Sequence, residues 1–272
     1  MQDHIVKSEG ARLSAHEDGQ GPTVLLLHGL TATRRYVVMG SNVLRRAGRR
    51  VVAYDARGHG QSSPADCPGA YTYADLRGDL RAVLDGLGVS RALLVGASMG
   101  AHTALALALT DPGRVQGLAL VTPAYDPERH GRPADLARWD RLAAGLRQGG
   151  VEGLIAAYGD PGVAPAWRET VLTAIRKRLA AHEHPDAVAD ALSVVPRSRR
   201  FAAWADLAAL ALPTLVVGSR DEADPGHPLG TAERYAAELG APLHVEPEGD
   251  SPLAWQGARL SRLVLELTSA LP

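Results

Sequence analysis

The sequence predicts an α/β fold, a mostly parallel central sheet flanked by helices, with an inserted helical cap. Three observations carry that expectation. Continuous apolar runs recur at Thr23–Leu27, Arg50–Asp55, Ala92–Val95, Gly117–Thr122 and Leu212–Gly218, the pattern of strands buried on both faces of a parallel sheet. Segments of helical composition alternate with them, which argues for helices on both faces and right-handed connections. The third observation is Gly96-Ala97-Ser98-Met99-Gly100, with an apolar run before it and an Ala/Leu-rich segment after it. Two glycines without Cβ atoms let strand and helix close tightly enough to lift the Ser98 side chain clear of the sheet.

Taken in order, Ile5-Val6 and Ala11–Ala15 read as an opening hairpin with Glu9-Gly10 at its turn. The strand at Thr23–Leu27 runs directly into His28-Gly29-Leu30-Thr31, and Arg34–Arg46 reads as helix. The strand at Arg50–Asp55 leads into Ala56–Ser62, and Tyr73–Leu87 is an amphipathic helix ahead of the Ser98 strand. From Pro123 to about Leu212 the strand pattern stops. Helical segments at Leu136–Gln148, Val151–Ala157, Trp167–Ala180 and Asp186–Leu192 follow one another. The expected division is therefore a core of residues 1–122 and 213–272 and a helical cap of 123–212. After the cap come the strand ending at Gly218, a helix at Ala232–Leu239, a last strand at Pro242–Glu246 and a closing helix at Leu253–Leu271.

Composition narrows the function classes. A formal charge of −1 over 272 residues gives no support to nucleic-acid or anionic-membrane binding. No apolar run is long enough to span a bilayer, and Met-Gln-Asp-His-Ile lacks the features of a signal peptide. The single Cys67 excludes an intrachain disulfide, and no Cys/His cluster has zinc spacing. The expectation is a cytoplasmic protein with no cofactor and no metal that acts on or binds a small molecule.

Four motifs now stand in order: His28-Gly29 after a strand, Asp55-x-Arg57-Gly58-His59-Gly60-x-Ser62 after the next, Gly96-x-Ser98-x-Gly100, and Gly218-x-x-Asp221 after the strand that follows the cap. On these residues, over nearly its whole length, the chain resembles the α/β-hydrolase superfamily. The resemblance implies that Ser98 is the nucleophile and that the backbone N–H groups of Leu30 and Met99 form the oxyanion hole. It puts the triad acid at Asp221, with Asp224 as runner-up. It gives His59, with Asp55 and Arg57, a structural part rather than that of a base.

The pattern breaks at the catalytic histidine. In the superfamily it follows the last strand, usually as Gly-His ahead of a helix, and here that place reads Gly249-Asp250. A serine hydroxyl is a poor nucleophile without a base. Imidazole, with a pKa of about 6.5, can both take the proton and return it. Asp250 could serve only if a nearby Asp221 raised its pKa. His227, just beyond the acid loop, is the best substitute among the histidines. Two readings stand. One is a serine hydrolase of a small ester, lactone or related acyl compound, with His227 or Asp250 as base; the other is a hydrolytically inactive homologue that binds a small molecule or promotes a non-hydrolytic step. An epoxide or haloalkane hydrolase would need a carboxylate at the elbow, where Ser98 stands. Trp139 and Trp167, with Tyr158, Phe201 and Trp204, are the candidate pocket aromatics.

Overall fold

A computed structural model describes residues 2–251 and 253–269. An antiparallel hairpin opens the chain, β1 (Gln2–Ser8) and β2 (Ala11–Asp18). The first crossovers follow: β3 (Thr23–Leu27), α1 (Val43–Arg46), β4 (Arg50–Tyr54), α2 (Tyr73–Gly86), β5 (Ala92–Ala97), α3 (Met99–Thr110) and β6 (Val115–Val121). Three helices come next, α4 (Pro133–Tyr158), α5 (Arg168–Leu179) and α6 (Pro185–Val194). β7 (Thr214–Gly218), α7 (Leu229–Leu239), β8 (Leu243–Val245) and α8 (Ala258–Thr268) complete the described chain. The strands form one sheet in the order β1-β2-β4-β3-β5-β6-β7-β8. Pairings from β4 through β8 are parallel, and β2 joins β4 antiparallel.

The pleat sends alternate side chains to opposite faces, and the core divides accordingly. Leu25, Leu27, Leu94, Leu118, Leu120 and Val216 pack with Leu80 and Leu84 of α2, Ala104 and Leu105 of α3, and Tyr235 of α7. Their neighbours Leu26, Leu93, Val95, Ala119 and Val217 pack on the other face against Leu44 of α1 and Leu260 and Val264 of α8. α2 begins with a capping box, Thr72 Oγ1 accepting from the Asp75 amide while the Asp75 carboxylate accepts from the Thr72 amide.

Among the described residues, 123–212 contribute helices and no strand. The expected break between helices near residue 149 is a kink within α4, where Gly149 and Gly150 leave the helical conformation, Gly150 at φ 59°. The two arms fold back closely: a Cβ on Gly145 would stand 2.5 Å from the Gly153 carbonyl oxygen. Where the sequence reads helix over Arg34–Arg46, only a 3-10 turn (Arg34–Tyr36) and the four residues of α1 are helical. The Arg34 amide instead donates to Asp55 Oδ1 at 2.7 Å, tying this segment to the loop after β4. The closing helix starts at Ala258, and Leu271, its expected end, lies outside the described residues.

Candidate active site

The turn between β5 and α3 holds Ser98 at φ 50° and ψ −110°, a left-handed conformation that a non-glycine residue adopts only when its surroundings enforce it. The enforcement is steric. A Cβ on Gly96 would meet the Gly100 carbonyl carbon at 2.4 Å, and one on Gly100 would meet the Leu27 carbonyl oxygen at 2.3 Å. Strand, turn and helix are packed backbone to backbone, and the Ser98 amide is tied to the Val121 carbonyl at 2.9 Å.

His227 stands beside that serine, Nε2 2.9 Å from Ser98 Oγ. Its Nδ1 lies 2.8 Å from Asp224 Oδ2, so the Nδ1–H tautomer donates to the carboxylate and leaves Nε2 to accept from the hydroxyl. Burial works against both charges. It is outweighed in each case by the partner, which raises the His227 pKa above its ordinary value and holds Asp224 below its own. About a quarter to a third of each side chain stays open to solvent, 27% and 31%.

Asp221, expected as the triad acid, points elsewhere. It is exposed, and its Oδ1 accepts from the Leu229 amide at 2.8 Å. It therefore spans the base of the loop that carries Asp224 and His227 and occupies the start of α7, whose first amides have no intrahelical acceptor. Asp250 is also turned away, in an ion pair with Arg259 Nη1 at 2.6 Å on α8. The two carboxylates are thus engaged with different partners, and the shared-proton arrangement is not formed.

The loop after β3 is organised by histidines. His28 Nε2 accepts from the Ala56 amide at 2.9 Å, so its Nδ1 carries the proton and donates to the Gly29 carbonyl at 2.8 Å. The same carbonyl accepts from the Ala32 amide at 2.9 Å. A planar trans peptide then sends the Leu30 N–H in the opposite direction. The Leu30 carbonyl lies 2.6 Å from His59 Nε2. Met99 is the first residue of α3, so its amide has no acceptor within the helix. Leu30, Ser98, Met99 and His227 all line one cavity of about 500 Å³. Burial, abetted by His59, pushes His28 well below the ordinary imidazole value, which keeps it a neutral donor.

Helices of the 123–212 segment roof this cavity. Trp139 and Tyr158 of α4 line it, but Trp167, on a 3-10 turn before α5, does not. Phe201 and Trp204 pack against Tyr235 beneath it as core. His102, buried behind the elbow, accepts from the Ala124 and Tyr125 amides at 3.3 Å each. Sequence reasoning passed over Arg178. The signal was present: Val171, Ala174, Ile175 and Arg178 fall at helical spacing on one face of α5, and all four line the cavity.

The family model described as the alpha/beta hydrolase fold matches residues 22–171. The chain belongs to the α/β-hydrolase fold family. It is 38% identical over 115 residues to a putative carbamate hydrolase, RutD, of Variovorax paradoxus, covering 42% of this chain and 43% of that one. It is 38% identical over 119 residues to an epoxide hydrolase of Caballeronia sordidicola, covering 43% and 36%. The matched stretches therefore span less than half the length of these relatives. In three dimensions an esterase from Thermogutta terrifontis superposes with a TM-score of 0.78 at 24% identity, covering 99% of this chain and 97% of that one. Among the described residues, no helix of this family member is long and apolar enough to cross a membrane.

Proposed function

We propose that this α/β-hydrolase is a serine hydrolase of a small ester, lactone or related acyl substrate, with Ser98 as nucleophile, His227 as base and Asp224 as the acid that orients it. The observation that carries the reading is the 2.9 Å contact between His227 Nε2 and Ser98 Oγ, with Asp224 on the far nitrogen. His227 takes the Ser98 proton as Oγ bonds to the substrate carbonyl carbon. The Leu30 and Met99 amides stabilise the oxyanion that forms. The His227 imidazolium then gives its proton to the leaving oxygen as the carbon–oxygen bond breaks, leaving an acyl-serine. Water attacks that ester with His227 again as base, and the proton returns to Ser98. Helices of 123–212, as a cap, hold the substrate against the elbow.

The His227–Ser98 contact favours this reading over a hydrolytically inactive binding protein. Ser98 favours acyl transfer over epoxide opening, which in this fold takes a carboxylate nucleophile. The test is hydrolysis of p-nitrophenyl acetate by wild type, Ser98→Ala and His227→Ala. Both variants should lose about 10⁴-fold or more in kcat. Full activity in Ser98→Ala would overturn the assignment.

A further inference from the structure

The cavity beside Ser98 is lined by an arginine, Arg178, that makes no ion pair among the described residues. Arg178 projects from the apolar face of α5 among Val171, Ala174 and Ile175. Its Nε is buried without a hydrogen-bond partner, and among the described residues the guanidinium makes no ion pair. The groups that act on it are the Tyr158 and Tyr36 phenols and the Asp224 carboxylate. Of these only Asp224 is anionic, and its Oδ2 is engaged by His227. A second lining arginine, Arg200, is stacked between the Tyr73 and Tyr125 rings, 4.5 and 4.6 Å from their centres. It donates to the Pro196 and Ser198 carbonyls while its Nε is likewise buried and unpartnered. Arg200 is thereby committed to the wall. Arg129 and Arg138 also line the cavity, Arg138 over the Tyr158 ring at 5.4 Å, but among the four lining arginines only Arg178 combines a buried, unpartnered Nε with no other hydrogen bond or ion pair among the described residues.

Arg178 is half-buried, and leaving its buried Nε without a partner is costly, because that N–H loses water and gains no acceptor. Arg176 of the same helix illustrates the contrast, paired with Glu152 at 2.9 Å. A guanidinium presents a planar fork of donors that matches a carboxylate in two-point contact.

We infer that Arg178 is a specificity-determining residue that binds an ionised carboxylate on the substrate, so that the preferred substrates are acyl esters or lactones bearing a second, free carboxylate. The substrate class rests on the hydrolase reading above, whereas the anion site itself does not. The carboxylate also explains a polar feature on an otherwise apolar helix face, in the same cavity as Ser98 and His227.

Two measurements separate the inference from the hydrolase reading. In the first, kcat/KM is measured on the p-nitrophenyl monoester of adipate and on p-nitrophenyl hexanoate, in wild type, Arg178→Lys and Arg178→Gln. The ratio of the two values cancels general damage to the catalytic groups. Wild type should favour the adipate monoester, and the ratio should fall about 30-fold in Arg178→Gln, with part retained in Arg178→Lys. In the second, binding of succinate, glutarate and adipate to Ser98→Ala and to Ser98→Ala/Arg178→Gln is followed by calorimetry. At least one dicarboxylate should bind the first protein about 10-fold or more tightly than the second. Arg178-dependent binding in the Ser98→Ala pair, together with a wild type that hydrolyses neither ester, would sink the hydrolase reading alone. Esterase activity with an unchanged ratio, or equal binding by both Ser98→Ala proteins, would overturn the inference.

Discussion

Asp224 and His227 lie three residues apart in one turn, joined by Oδ2 and Nδ1 at 2.8 Å and by the His227 amide donating to the Asp224 carbonyl at 3.0 Å. The side-chain bond fixes the tautomer and the backbone bond fixes the turn. Replacing Asp224 with Asn leaves the backbone bond and removes the charge. It should lower kcat/KM by about 10³–10⁴-fold, with the fold intact by circular dichroism. A loss of less than about 10-fold would assign the orienting part to another group.

The same pair sets the pH profile. His227 must be neutral to accept the Ser98 proton, and Asp224 raises its pKa above the ordinary imidazole value against the opposing effect of burial. Activity should therefore fall as pH drops through a pKa above about 6.5. In Asp224→Asn the residual activity should have its acid limb displaced toward lower pH. A profile of kcat/KM from pH 5 to 9 reads both limbs.

The elbow's packing predicts an intolerance without any chemistry. A Cβ at Gly100 would stand 2.3 Å from the Leu27 carbonyl oxygen, and neither backbone can yield without opening β3 from α3. Gly100→Ala should cost about 3 kcal/mol or more in urea unfolding, by overpacking rather than by lost contacts. A midpoint equal to wild type would mean that the turn opens freely.

Histidines behind the pocket predict acid sensitivity. His182 accepts from the Gly60 amide at 2.8 Å and donates to the Thr31 carbonyl at 3.2 Å, so its folded form is neutral. Burial, together with the neighbouring His59, lowers its pKa from 6.5 to about 4. Between those values the unfolded chain binds a proton that the folded chain refuses, so stability falls as pH drops through that window. His28, His59 and His102 shift in the same direction. His182→Gln preserves one donor and one acceptor, and should flatten the decline in urea midpoint between pH 7 and pH 5.

Much of the fold is legible in the sequence. Alternating apolar runs and the Gly-x-Ser-x-Gly turn are local signals, and the strands and elbow they imply are where the residues put them. The sequence does not show where Asp221 turns, because its position relative to Gly218 carries no information about the direction of a loop carboxylate. The Leu229 amide, eight residues on, decides that. Asp250 occupies the usual histidine position in sequence, yet Arg259 on α8 claims it, a pairing that depends on where a helix begins. His227 could be named as a candidate from the sequence, but its distance to Ser98, 129 residues away in the chain, is tertiary. Trp167 shows the limit of reading aromatics by type. It immediately precedes α5 and does not line the cavity, whereas Val171, four residues on, does.

On the proposed roles, acid and base share the stretch Asp221–Leu229, bridged at its ends by the Asp221 carboxylate and the Leu229 amide, so the dyad would behave as a cassette. One segment exchange would carry both groups together, in register with each other, to another scaffold of this architecture. On the same proposal the turn after β8 carries no catalytic group. Gly249 and Asp250 are then an address for insertions or fusions, with the Asp250–Arg259 pair as the only side-chain bond at stake there among the described residues.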